Sequence, residues 1–158
     1  MEPELAVLVG LQASGKSTFV ASRFSATHVV VSKDLMRSAK HKDRRQRREL
    51  STALSRGQSV VVDNTNPGPA QWAPLIALAR EYGARPVAYF FPPDVQGCVA
   101  RNGARPQGQR VPEVGVFATL GALRRPCTAD GFAAVYLVEY EGERFTVTTA
   151  GEGLDEDQ

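Results

Sequence analysis

Residues 10 to 17 read Gly10-Leu11-Gln12-Ala13-Ser14-Gly15-Lys16-Ser17 and fit the pattern G-x-x-x-x-G-K-[ST] at every fixed position. Glycines let a backbone wrap tightly, so that successive amide N–H groups point at one anion. A helix beginning near Gly15 adds its partial positive charge at the same place. Lys16 then bridges a β- and a γ-phosphate as a point charge, and the Ser17 hydroxyl holds Mg²⁺. The alternative is a chance glycine-rich turn. Against it stand the apolar run Leu5-Ala6-Val7-Leu8-Val9 before the loop and the helix-like stretch after it. The pattern therefore predicts a nucleoside triphosphate, ATP or another NTP, with Mg²⁺.

Further polar residues sit where other apolar runs end. Val29-Val30-Val31 leads to Ser32-Lys33-Asp34, and Val60-Val61-Val62 leads to Asp63-Asn64-Thr65-Asn66-Pro67. Phosphoryl transfer needs an acceptor oxygen placed in line, a base for its proton, and cations for the charge on the γ-phosphoryl group. Asp34 is a candidate base, or the N-cap of the helix after it. Arg37, three residues on, shares a helical face with Asp34. It orients that carboxylate, holds a substrate phosphate, or makes a structural ion pair; Lys33 is the adjacent cation. Asp63 orders water on Mg²⁺ or fixes a cation, unless Asp63-Asn64 only makes an Asx turn. Arg101, Arg105 and Arg110 stud a glycine-rich stretch, read as a lid closing over the triphosphate or as a solvated loop.

The elements that must position these residues follow from periodicity. Strands are expected at 5–9, 28–31, 59–62, 87–91 and 133–140, with 145–148 pairing to the last through Glu141-Gly142-Glu143. Helices are expected from Lys16, over 43–56 and 69–82, from Asp94 to Arg101, and over 114–123. Asn102 to Arg110 is expected as a loop. Alternating β and α patterns with continuously apolar strands argue for a doubly wound parallel sheet. The expected fold is α/β, P-loop NTPase kinase-like, of about five strands with an Arg-rich lid. Its nucleotide would lie at the carboxyl ends of the strands.

Composition narrows the class. The chain has 158 residues, with 42% hydrophobic and 23% charged, which suits one soluble globular domain over residues 1–150. Residues 151–158 carry Glu152, Asp155, Glu156 and Asp157 and read as an acidic, disordered tail. The formal net charge of +2 hides a basic run of Lys40, Lys42, Arg44, Arg45, Arg47 and Arg48. That run is either a solvated helix face or a path for a polyanion. Cys98 and Cys127 have no metal-ligand spacing, so no metal cluster is expected and a reducing, cytoplasmic setting is. No secretory signal and no membrane-length apolar run is expected to matter.

Four segments together resemble the polynucleotide 5′-hydroxyl kinases, the kinase domain of phage, bacterial and mammalian end-healing enzymes. They are Gly10 to Thr18, Val31 to Arg37, Val62 to Pro67, and Arg101-Asn102 through Arg105 to Val111-Pro112; Gly131-Phe132 before a strand adds to the likeness. The resemblance implies Asp34 as general base, Arg37 on an acceptor phosphate, and Lys16 and Ser17 serving ATP and Mg²⁺. It implies Arg101 and Arg105 over the phosphates, with Lys16 and Arg105 sharing the catalytic work with Asp34. Gly10, Ala13, Ser14, Gly15, Ser17 and Thr18 would line the nucleotide, and Lys33, Arg37 and Asp63 the acceptor. The implied partner is a nucleic acid with a 5′-hydroxyl end. Gln12-Ala13 replaces the Pro-Gly of many relatives, a tolerated change at free positions. No D-x-D-x-[TV] phosphatase motif or ligase module is present. Two other functions compete: a small-molecule kinase for a nucleoside, sugar or antibiotic, and a nucleotide-binding switch without transfer chemistry.

Overall fold

The computed structural model describes residues 2–33, 41–141 and 144–150. The second-strand exit at Asp34 to Lys40, including Arg37, and the acidic segment 151–158 lie outside the described residues.

Six strands form one sheet in the order β2-β3-β1-β4-β5-β6. These are β1 Glu4–Val9, β2 His28–Val31, β3 Ser59–Val62, β4 Arg85–Phe90, β5 Ala134–Glu141 and β6 Arg144–Thr149. The first five run parallel, and β6 returns antiparallel to β5. The expected doubly wound sheet is present, and the segment after β5 completes it as a sixth strand.

Alternation along each strand explains why both faces are covered. On β1, Leu5, Val7 and Val9 join the core under α2 (Lys42–Ser55) and α3 (Pro69–Glu81), with Leu50, Leu54, Trp72 and Leu78. Ala6 and Leu8 face the opposite core under α1 (Lys16–Arg23), with Phe19, Val20 and Phe24. A strand buried on two faces must be apolar at every position, which is the continuous pattern of β1 and β3. Gly57 and Gly83 take positive φ just past α2 and α3, at +74° and +70°, as helix-terminating glycines do.

The stretch expected as a lid loop differs from expectation. Helix α4 spans Val95–Ala104, running past the expected end at Arg101, so Asn102 lies in its last turn and not in a loop. Asp94 accepts a hydrogen bond from the Gly97 N–H at 3.1 Å, which caps the start. At the other end the buried Asn102 amide pairs with the backbone of Val111: its Oδ1 accepts the Val111 N–H at 2.9 Å and its Nδ2 donates to the carbonyl. That pairing fixes the last turn despite Gly103. Residues 105–112 then hold one 3₁₀ turn, Gln107–Gln109, before α5 (Glu113–Ala122). Among the described residues, no helix is long and apolar enough to cross a membrane.

One turn ties the sheet's centre together. Asn66, after β3, is buried and takes φ +43°. Its Nδ2 donates to the Leu8 carbonyl of β1 at 2.8 Å, and its own carbonyl accepts the Trp72 indole N–H at 2.6 Å. Asn tolerates the left-handed region better than most side chains. Asn66→Ala removes the Leu8 contact and keeps the strain, so unfolding in urea should show a loss of about 2–3 kcal/mol. Asn66→Gly, which relieves the strain, should recover about 1 kcal/mol of it.

Candidate active site

The loop after β1 is shaped by close approach. A Cβ at Gly10 would lie 2.9 Å from the Phe91 Cβ, so only glycine fits beside the end of β4. The Gly10 N–H donates to the Thr65 carbonyl at 3.0 Å, which clips the loop to the turn after β3. Gly15 takes φ +93° and serves as N-cap of α1, which starts at Lys16. Ala13 also takes positive φ, at +60°. The loop thus needs a left-handed residue at this position, and an alanine supplies it. Ser14 and Lys16 are buried, whereas Ser17 and Thr18 are exposed on the first turn of α1.

The Lys16 ammonium folds back over the loop. It donates to the Gly10 carbonyl at 3.1 Å, to the Leu11 carbonyl, and to Ser14 Oγ at 3.3 Å. An ammonium in so buried a seat beside the loop is a strong point of attraction for an anion. Beside it, the Ser17 hydroxyl donates to Asp63 Oδ2 at 2.9 Å. Hydroxyl and carboxylate together are a hard-oxygen donor pair of the kind Mg²⁺ takes. Among the described residues, no group of three His, Cys, Asp or Glu side chains could hold a metal ion.

On the β2 side, a relay of amides extends from the backbone. The Lys33 N–H donates to Asn64 Oδ1 at 3.0 Å, and Asn64 Nδ2 donates to Gln46 Oε1 at 2.6 Å. The Lys33 ammonium pairs with Asp43, whose carboxyl it holds below the ordinary carboxylate range. On α2, Arg44, Arg45, Arg47 and Arg48 are exposed; Arg45 pairs with Glu49 at 3.4 Å and Arg47 with Glu81 at 3.7 Å.

On the β4 side, a cleft of about 250 Å³ opens beside Ser14, lined by Phe91, Asp94, Cys98, Arg101 and Tyr140. Arg101 Nε donates to the Ala13 carbonyl at 2.7 Å, and its guanidinium lies 5.8 Å from the centre of the Tyr140 ring. Phe145 on β6 approaches Gly15, its ring 3.2 Å from where a Cβ would stand. The structure thus brings Arg101 to the loop by its guanidinium edge. It does not bring Arg105 or Arg110 there: among the described residues neither side chain bonds the loop, and Arg110 Nε donates instead to the Arg105 carbonyl at 2.7 Å. Asp34 and Arg37 lie outside the described residues.

The sequence assigns Gln46, Asn66, Tyr140 and Phe145 no site role, and Asn64 only a turn with Asp63. Asn64 and Asn66 carried a signal, being polar residues directly after a strand. Gln46 did not, since it sits inside a run of arginines. Backbone strain at Ala13 gives a direct check. A non-glycine left-handed residue costs about 1–2 kcal/mol, and glycine's extra chain entropy returns about half of that. Ala13→Gly should therefore raise stability by about 0.5–1 kcal/mol in urea unfolding, with ATP affinity retained. Gly10→Ala should lose ATP affinity, because the loop must shift away from Phe91.

Known proteins share this fold. The sequence model of the AAA domain family matches residues 5–129. Among solved structures, a gluconokinase from Sinorhizobium meliloti 1021 is 18% identical, with 87% of this chain and 82% of that one covered and a TM-score of 0.61. Kti12 of Chaetomium thermophilum, solved with ADP-AlF3, is 15% identical over 97% of this chain and 94% of its own, with a TM-score of 0.65. A chain of the Pnkp1/Rnl/Hen1 complex is 25% identical over 63% of this chain, with a TM-score of 0.55, and this chain spans only 39% of its length. These likenesses share the P-loop kinase-like fold, and the family match reaches from β1 past α5. The chain belongs to the AAA domain family, with a P-loop kinase-like nucleotide-binding core.

Proposed function

We propose that this chain is an ATP- and Mg²⁺-dependent kinase that phosphorylates a 5′-hydroxyl end of DNA or RNA. The observation that carries the reading is the Ser17–Asp63 bond beside the buried Lys16 ammonium, at the carboxyl ends of β1 and β3. Gly10 and Gly15 let the backbone take this wrapped path, Gly10 close against Phe91 and Gly15 at positive φ beside Phe145. The carbonyls that now hold Lys16 are partners that phosphate oxygens would replace. Ser17 and Asp63 would hold Mg²⁺, which when bound neutralises charge on the β- and γ-phosphates.

The roles then follow from chemistry. Asp34 accepts the proton of the acceptor hydroxyl as its oxygen bonds to the γ-phosphorus. The bond from that phosphorus to the bridging oxygen breaks, and the charge goes to the departing ADP, where Lys16 meets it. Arg101, already on the loop, and Arg105, carried on the segment after α4, cover the phosphates. The cleft beside Ser14 and Tyr140 suits the nucleoside, with Arg101 and Tyr140 as flat surfaces for a base. Arg37, Lys33 and the cations of α2 hold the acceptor strand.

A second reading has its own support. Lys33–Asp43, Arg45–Glu49 and Arg47–Glu81 pair three of the cations on the acceptor side, which lowers the pull on a polyanion and suits a small hydroxylated acceptor.

Three variants test the proposal. Lys16→Ala should raise the barrier by about 3 kcal/mol or more, read as single-turnover transfer by the folded protein. Asp34→Asn should keep ATP binding and lose about 10²- to 10⁴-fold in transfer rate; if melting temperature falls and specific activity survives, Asp34 is a cap. Replacing Arg44, Arg45, Arg47 and Arg48 together by Gln should raise the oligonucleotide KM and flatten its salt dependence while leaving the ATP KM unchanged. An unchanged oligonucleotide KM and salt slope would favour the small-molecule kinase.

A further inference from the structure

A second cavity, of about 430 Å³, lies between α2 and α3 on the side of the sheet where β2 and β3 end. Leu50, Pro74, Leu75 and Leu78 make its apolar wall, and Lys33, Gln46, Arg47 and Gln71 its polar side. Its volume falls within the range of small-ligand sites. It is separate from the cleft beside Tyr140, which lies across β1 and takes the nucleoside of the proposed ATP.

The polarity of this cavity is fixed by the backbone. The Lys33 N–H can only donate, so it sets Asn64 with Oδ1 towards itself and Nδ2 outward. Asn64 Nδ2 can only donate in turn, so Gln46 receives it on Oε1. That leaves the Gln46 Nε2 amino group, on a side chain more than nine-tenths buried, with no hydrogen-bond partner among the described residues. Gln46 lines the cavity, so this amino group is a donor for a ligand there. Gln71 repeats the logic: its Oε1 accepts the Gly68 N–H at 3.0 Å, which leaves its Nε2 as the open group.

The side chains of this wall therefore offer two oriented amide donors and two cations, the latter in exposed surface pairs, Lys33 with Asp43 and Arg47 with Glu81, that a phosphate can displace. One backbone acceptor lies on the same wall, because Pro74 has no N–H for the Ala70 carbonyl. A neutral polyol matches this poorly, since each hydroxyl brings a donor that needs an acceptor. A ligand rich in acceptor oxygens, with a flat apolar body and a negative charge, matches it well.

We infer that the α2–α3 cavity binds the first nucleotide of the acceptor strand, its base on the leucine wall and its carbonyl and 3′-phosphate oxygens on Gln46, Gln71, Lys33 and Arg47. This rests on the kinase reading above and assigns that acceptor's first nucleotide a place in the fold.

The test uses the full chain and thymidine 3′-monophosphate, the smallest fragment with a 5′-hydroxyl, base carbonyls and a 3′-phosphate. Titration calorimetry should show saturable binding, with thymidine weaker and sorbitol undetected. Gln46→Glu keeps the oxygen that Asn64 needs and replaces the open donor by an acceptor, so it should weaken this binding by about tenfold or more. ATP affinity and melting temperature should stay unchanged. Ala70→Trp, which fills the cavity from an exposed position on α3, should do the same. Wild-type protein that binds sorbitol as well as the monophosphate, or fails to bind the monophosphate, overturns the inference. So does an unaltered affinity in both variants. Transfer to oligonucleotides with an unchanged acceptor KM in Gln46→Glu would leave the kinase reading intact and remove this one. Binding lost in Gln46→Glu without transfer to any acceptor would do the reverse.

Discussion

The 2.9 Å bond from the Ser17 hydroxyl to the Asp63 carboxylate holds the helix after β1 to the end of β3. The rest of the site depends on that closure. The loop between β1 and α1 contains two residues at positive φ, a buried ammonium and a glycine pressed on Phe91, none of which is stable without support. Support comes from the neighbouring turn on three bonds: Ser17 on Asp63, the Gly10 N–H on Thr65, and Asn66 on the Leu8 carbonyl. Two adjacent parallel strands thereby present their carboxyl ends as one surface, in the crevice where open α/β sheets take ligands.

From that surface the two sides differ in character. Towards β4 and β5 the groups are aromatic and cationic: Arg101 on the Ala13 carbonyl, Tyr140 against its guanidinium, and Phe145 against Gly15. Phe145 also packs edge-on against Phe19 of α1 at 5.3 Å, so the antiparallel β6 buttresses the loop from beneath. Towards β2 and α2 the groups are amides whose direction descends from a backbone N–H through Asn64 to Gln46. On the proposed function a nucleoside takes the first side and an oxygen-bearing acceptor the second, and a group transferred between them would pass over Lys16.

The fold was legible because its strands are buried on both faces and so carry unbroken apolar runs, each ended by a polar turn. The loop at Gly10 to Ser17 was legible because its chemistry demands fixed residues at fixed spacing. Long-range pairing was not. Nothing local says that Ser17 meets Asp63, 46 positions away, or that Gln46 in a run of arginines is buried on α2. The end of α4 was misread for a related reason: Gly103 and the arginines look like a loop, and the Asn102–Val111 pairing that sustains the helix spans nine residues. Arg101 accordingly joins the loop through its carbonyl, whereas Arg110 turns back on the backbone of its own segment.

Phosphoryl transfer to a nucleic-acid end is tested most directly by incubating the full chain with γ-³²P-labelled ATP and Mg²⁺, offering a 5′-hydroxyl oligonucleotide, free nucleosides and sugars in parallel reactions. Label is expected on the 5′ end of the oligonucleotide, with little on the others. Label on a nucleoside or sugar and none on the oligonucleotide, or no transfer to any acceptor by protein that binds ATP, would contradict it.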